Sequence, residues 1–142
     1  MKKIKIIRKI KLVFLKLVRT RASVSEIAYG AAIGTFISVF PTFGFGMPLV
    51  ILLSRFLKFN LIAALALSIV SNPFTSPFFM VSSYAVGSFI TGSSIQFDLS
   101  NWKENLRNTG LTLLVGSLLI SGTLSVLVYF ITYFIVSKYR NK

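Results

Sequence analysis

A chain of 142 residues, 54% apolar with a mean hydropathy of +0.78, sets 16 Lys and Arg against three Asp and Glu. A soluble domain of this length could not bury that much apolar surface, and such long uncharged runs predict a single-domain, all-α integral membrane protein. With no Cys and no His, disulfides, thiol chemistry, the usual zinc sites and Ser–His–acid or Cys–His sets are excluded, so no enzyme, catalytic residue, metal or cofactor is expected.

Nine of the sixteen bases precede residue 22 and three follow residue 137. Clusters flanking apolar runs follow the positive-inside pattern and suit membrane lipids with anionic headgroups. No RNA- or DNA-binding motif accompanies them, so nucleic acid is not an expected partner. Residues 1–22 read as a basic amphipathic helix. Lys5, Arg8, Lys9, Lys16 and Arg19 share one face, and Ile6, Ile7, Ile10, Val13, Phe14, Leu17 and Val18 the other. Such a helix lies in the membrane interface, or packs on the protein's own inner surface. It lacks a plain apolar run followed by a small-residue cleavage site, so it is expected to be retained and not removed as a signal.

Ser23 and Glu26 stand at capping-box spacing; a proton-carrying role for Glu26 is the alternative. From Ile27 to Phe40 a helical stretch contains Gly30, Ala31, Ala32 and Gly34, small residues that let another helix approach closely. At roughly 21 Å it is short of a hydrocarbon core of about 30 Å. It stops at "PTFGFGMP", and a second half ends at Arg55 and Lys58, which would snorkel to an aqueous surface. Asn60 opens the next stretch, which is interrupted by "SNPFTSP" and completed by an apolar half. Residues 23–92 thus form a membrane core of two Pro/Gly-broken segments, each re-entrant or built of half-helices. Residues 93–110 read as a polar loop with Phe97 and Trp102 as interfacial anchors. Residues 111–137 read as one transmembrane helix, with Gly116, Ser117, Ser121 and Gly122 for helix packing, and 138–142 as a basic tail.

Charge sets the topology of this multi-pass, cytoplasmic (inner) membrane protein, with both termini in the cytoplasm. In one arrangement 27–57 dips in and returns as a re-entrant hairpin, 61–91 crosses and 111–136 crosses back. In the other both broken segments are re-entrant, which strands the C-terminal bases outside.

Pro41, Pro48, Pro73 and Pro77 make the breaks. Each removes a backbone donor, and the freed groups must be satisfied inside the protein or in a watery cavity. The breaks should therefore meet each other, or their counterparts in a second copy. Pro48 and Pro77 suit the first turn of a new helix. Ser76 is expected to cap the later one with help from Thr75, while Gly44 and Gly46 let the backbone bend. Two half-helix starts would then offer N–H groups and positive dipole ends to an anion, as paired interrupted segments do at transporter sites. The candidate ligand-binding set is Gly44 and Gly46 through their amides, Asn72, Thr75 and Ser76 through their side chains, and Arg55 or Lys58 at the rim. The alternative is that the breaks only fold tight hairpins, Asn72 and Thr75 closing the turn. About three embedded segments hardly enclose a cavity alone, so a homodimer is expected.

Two segments, "SVSEIAYGAAIGTFISVFPTFGFG" and "NLIAALALSIVSNPFTSPFFMVSSYAVG", carry a resemblance. They are similar to the bacterial membrane family known as domain of unknown function 2062, whose pattern runs S-P-x-x-I-A-x-G-x-A-x-G-x-F, then P-x-x-G, N-x-x-A-A, S-N-P-x-T-x-P and a downstream Tyr and Gly. Ser23, Gly30, Gly34, Pro41, Gly44, Asn60, Ala64, Asn72, Pro73, Thr75, Pro77, Tyr84 and Gly87 are among the matching positions. Val24 stands where the family often has proline, and Phe45 and Gly46 where His or Gln commonly follows. The resemblance implies an inner-membrane protein of no established activity. Relatives fused to glycosyltransferase-like domains imply lipid-linked sugars or polyprenyl phosphates. The expected function is therefore to bind or translocate an anionic, phosphate-bearing lipid or lipid-linked intermediate at the two breaks. The alternative is a non-catalytic scaffold or regulator of a glycosyltransferase-type partner, acting through residues 2–21.

Overall fold

The computed structural model describes residues 2–42, 44–69, 71–93 and 102–142, and every regular element among them is helical: α1 (Lys2–Arg19), α2 (Val24–Val39), α3 (Gly46–Leu53), α4 (Leu61–Ser68), α5 (Ser76–Thr91) and α6 (Trp102–Arg140). Among the described residues one helix, α6, is long and apolar enough to cross a membrane, with a mean hydropathy of 2.2 over its most apolar stretch. Its 39 residues make a rod of roughly 58 Å, with α2 and α5 packed along it and α3 and α4 reached through α2.

Two boundaries differ from the sequence reading. The part of the polar loop from Trp102 to Gly110 is the first quarter of α6. Lys103, Asn105 and Arg107 contain no breaker, Glu104 suits the positive end of the helix, and extending an existing helix needs no new nucleus. Phe97 and Asp98 lie outside the described residues. At the other end the helix continues through Arg140, so most of the basic tail is its last turn, where Lys138 and Arg140 face the negative dipole end.

Helix α2 begins where the capping box sets it. The Ser23 hydroxyl accepts from the Glu26 amide at 3.1 Å, and the Glu26 carboxylate accepts from the Ser23 amide at 2.9 Å. From there α2 runs antiparallel to the C-terminal half of α6, with Tyr29 against Tyr129 and the Ser125 hydroxyl donating to the Ala32 carbonyl at 2.9 Å. On its other side α4 starts at the same end. The Asn60 side chain caps α4 by accepting from the Ala63 amide at 2.9 Å, while the Asn60 amide donates to the Glu26 carbonyl at 2.9 Å. Glycine makes this pairing close: a Cβ at Gly30 would strike the Asn60 carbonyl, and one at Gly34 the Ala64 carbonyl.

Helix α5 pairs antiparallel with the N-terminal half of α6 by the same device, Gly87 lying on the Thr112 backbone and Gly116 on the Ser83 backbone. In both pairs small residues four apart bring backbones together, which is how helices associate where lipid supplies no hydrophobic drive. Two apolar clusters complete the core. Leu17, Ile27, Ala63 and Val136 gather α1, α2, α4 and α6 at one end, and Ile37, Val50 and Ala64 join α2, α3 and α4 higher up. At the first of these ends Arg140 donates to the Thr20 carbonyl at 2.8 Å and Phe14 meets Tyr139 edge-on.

Candidate functional site

The first break follows from proline and glycine chemistry. Phe40 ends α2 in an extended conformation, and Pro41 cannot continue the helix. A tight turn returns the Thr42 amide to the Phe40 carbonyl at 2.7 Å. A second turn joins the Phe45 amide to the Thr42 carbonyl at 3.0 Å, with Gly44 at φ 93°. That φ is strained for any residue with a Cβ, so glycine is required there. Helix α3 then starts at Gly46 with Pro48 in its first turn, where the missing donor has no cost.

The second break closes on itself. Asn72 Oδ1 accepts from the amides of Phe74 at 2.9 Å and Thr75 at 3.2 Å. The Asn72 carbonyl accepts from the amides of Thr75 at 3.0 Å and Ser76 at 2.8 Å. In return the Asn72 amide donates to Thr75 Oγ1 at 2.9 Å. Two expectations are corrected here. Ser76 is the first residue of α5 and not its cap, Thr75 holds the cap position without a side-chain cap bond, and the Ser76 hydroxyl lies 3.0 Å from that of Ser71. The start of α5 also offers fewer N–H groups than expected, because Asn72 occupies the amides of Phe74, Thr75 and Ser76 that lead into it, and Pro77 has none. Asx-turn chemistry satisfies locally what a ligand was expected to satisfy.

Both breaks nevertheless border one cavity of about 570 Å³. The first contributes Phe40, Pro41, Thr42, Gly44 and Gly46, the second Ser71, Asn72, Pro73 and Ser76, and α6 closes the wall with Leu113 and Ser117. Of the candidate residues Gly44, Gly46, Asn72 and Ser76 are thus brought together, while Thr75, Pro48 and Pro77 do not line the cavity. Arg55 and Lys58 do not reach it. They are exposed in the turn after α3, the far end of a helix of roughly 12 Å.

Among the described residues no charged side chain lines the cavity, and its polarity comes from hydroxyls and one amide. Several hydroxyls are already committed: Ser38 donates to Thr35, Ser68 to Leu65 and Ser117 to Leu114, each onto a carbonyl of its own helix at 2.8–3.0 Å. Others are unspent. Ser83, only 1% exposed, has no hydrogen-bond partner among the described residues, and the same holds for the Thr42 hydroxyl and the Asn72 side-chain NH₂. Sequence reasoning missed Ser83 and Thr42. Their only signal was a hydroxyl in an apolar helix or turn, which packing glue gives equally well.

Among the described residues the architecture is all-helical, with one helix long and apolar enough to cross a membrane and a hydroxyl-lined cavity, free of charged side chains, between the turn after α2 and the turn before α5. The chain belongs to the family described as "uncharacterized protein conserved in bacteria", domain of unknown function 2062, whose profile it matches over residues 7–142. The match reaches well beyond residues 23–92 and takes in most of α1 and all of α6. No curated protein and no solved structure matches the chain.

Proposed function

We propose that this is a multi-pass inner-membrane protein that binds, and through binding moves, a phosphate-bearing lipid or lipid-linked intermediate at the cavity between the breaks. The observation that carries it is the cavity itself: both breaks border a space whose unspent side-chain groups can donate, and among the described residues no carboxylate lines it to repel an anion. Donors fixed in an apolar surround favour a negatively charged oxygen more than they would in water. The remaining walls, Met47, Ile69, Phe79, Met80 and Leu113 among them, suit the apolar part of an amphiphile.

Membrane placement is supported by what is left uncovered. Phe74 is 93% exposed and Phe89 91%, among many large apolar side chains left uncovered, and apolar surface on that scale fits an apolar medium. The bases also gather at one end. Arg140 bonds Thr20, and the turn holding Arg55 and Lys58 leads into Asn60, which bonds Glu26. One cytoplasmic face then takes all three clusters. This favours α2 and α3 as a re-entrant hairpin, α4 and α5 as a broken crossing and α6 as the return. Along α1, Ile4, Ile6, Ile7 and Ile10 remain exposed, and among the residues whose burial is described Leu17 alone is buried, which supports an interfacial helix over one packed on the protein.

The test uses purified protein in micelles with polyprenyl phosphate and the uncharged prenol. The phosphate should raise the thermal midpoint, the prenol should not, and Thr42→Val with Ser83→Ala should remove most of the shift. These variants delete unspent donors without deleting a bond that holds the fold. Equal stabilisation by the prenol, or an undiminished shift in the variant, would refute the assignment.

A further inference from the structure

A second hollow of about 380 Å³ adjoins the cavity and shares Phe40 and Thr42 with it. Its floor is α2, with Ile33, Phe36 and Ile37, its wall is α3, with Leu49 and Leu53, and Ser125 of α6 stands opposite. The two hollows differ in chemistry. In the groove the Ser125 hydroxyl is bound to the Ala32 carbonyl at 2.9 Å, so apart from Thr42 at the junction no side chain has a donor to offer. Phe36 and Phe40 stack nearly parallel, 5.9 Å between centroids and 8° between planes, giving the groove a flat aromatic edge that ends at the junction. A polar pocket continuous with a dry channel matches a molecule with one polar end and one flexible apolar chain, since each section satisfies only one of these parts.

We infer that cavity and groove form a single head-and-chain site. Thr42, Asn72 and Ser83 hold the headgroup, the chain lies between α2 and α3 along Ile33, Phe36, Leu49 and Leu53, and Phe40 marks where head gives way to chain. This rests on the function proposed above and adds to it: the ligand carries one chain that the protein itself measures.

Chain selection is the readout. Binding of hexadecyl and octyl phosphate is measured at equal mole fraction in the same micelles, so that partitioning common to both cancels. At equal mole fraction both chains start in an apolar micelle, so the gain comes from fixed contacts along the groove that a fluid interior does not offer, and the wild type should prefer hexadecyl phosphate by tenfold or more. Leu49→Trp places a large ring in the groove from a position that is 38% exposed and leaves the cavity untouched; Leu53→Trp repeats the test from the next turn. Either variant should bring the preference to within about twofold of unity while keeping the ligand-free thermal midpoint of the wild type. An unchanged preference in a variant that folds, or no preference in the wild type, overturns the head-and-chain site and leaves the proposed function standing. Failure of both alkyl phosphates to bind the wild type overturns both.

Discussion

Replacing Gly34 and Gly122 by alanine, one at a time, separates the packing account of this fold from simple helix propensity. Both lie inside helices, and alanine in a helix interior gains about 1 kcal/mol over glycine. At Gly122 nothing lies within 4 Å of the added methyl, so the gain should survive. At Gly34 the methyl would strike the Ala64 carbonyl and sit 2.8 Å from its carbon and 2.9 Å from its Cα, where ordinary contacts run 3.4–4 Å. The obstacle is backbone, and no rotamer change relieves it. The two helices must separate by roughly half an ångström or more, disturbing the neighbouring Gly30–Asn60 contact, and overpacking of this kind costs about 1–3 kcal/mol. Taking the upper part of that range and subtracting the propensity gain leaves Gly34→Ala about 2 kcal/mol less stable. For a chain of this size the thermal midpoint should fall by about 6–8 °C, against a rise of about 3 °C for Gly122→Ala. Circular dichroism during heating in one detergent reads both. If Gly34→Ala matches or exceeds the wild type, α2 and α4 are not in backbone contact and the architecture around the first break is wrong.

Asn72→Ala should lower stability by about 1 kcal/mol, because the Phe74 amide loses its acceptor and the Thr75 amide one of its two; thermal unfolding without ligand reads this, and an unchanged midpoint would mean the second break is held some other way. Ser23→Ala should cost about 1 kcal/mol and Glu26→Gln much less, since glutamine still accepts from the Ser23 amide. Should Glu26→Gln abolish function with stability intact, a proton-carrying role would replace the capping one. Ile6→Asn combined with Ile10→Asn should leave thermal unfolding unchanged, because both side chains are exposed. The same pair should make α1 sensitive to trypsin in nanodiscs rich in phosphatidylglycerol, where the wild type resists; equal resistance would show that α1 does not lie on the lipid.

Features governed by neighbours in the chain were legible in the sequence. The Ser23–Glu26 box, the stop at Pro41 and the opening of α4 at Asn60 each depend on a few adjacent residues, and each stands where the spacing put it. The helical run from Trp102 was missed because polar residues after an undefined stretch give no sign that an apolar helix will extend back through them. Ser76 was misassigned as a cap because a serine before proline is a good cap in isolation; only the longer Asn72–Thr75 closure shifts the start of α5. The placement of Arg55 and Lys58 away from the cavity follows from the direction of α3, which composition does not specify. Gly122 looked equivalent to Gly116, yet only Gly116 faces another helix, since which side of α6 is covered is a tertiary fact.

Ten of the positions that carry the family resemblance fall into two sets with one consequence. Gly30, Gly34, Asn60, Ala64 and Gly87 are the places where helix backbones touch, while Pro41, Gly44, Asn72, Pro73 and Thr75 make the two interruptions. The first set fixes the height of the second. Because α2 and α4 start together at the Glu26–Asn60 bond and stay in contact through Gly34 and Ala64, both arrive at their breaks at the same level. The Gly87–Thr112 and Ser83–Gly116 contacts then hold α5 so that Ser83 and Ser117 close the space between those breaks. Turns alone would need only the second set, and a compact bundle only the first. A chain that combines close-packed registers with a Pro–Gly break and an Asn–Pro break at equal height gains a half-open hollow lined, among the described residues, by no charged side chain, and loses it if either register slips by one residue.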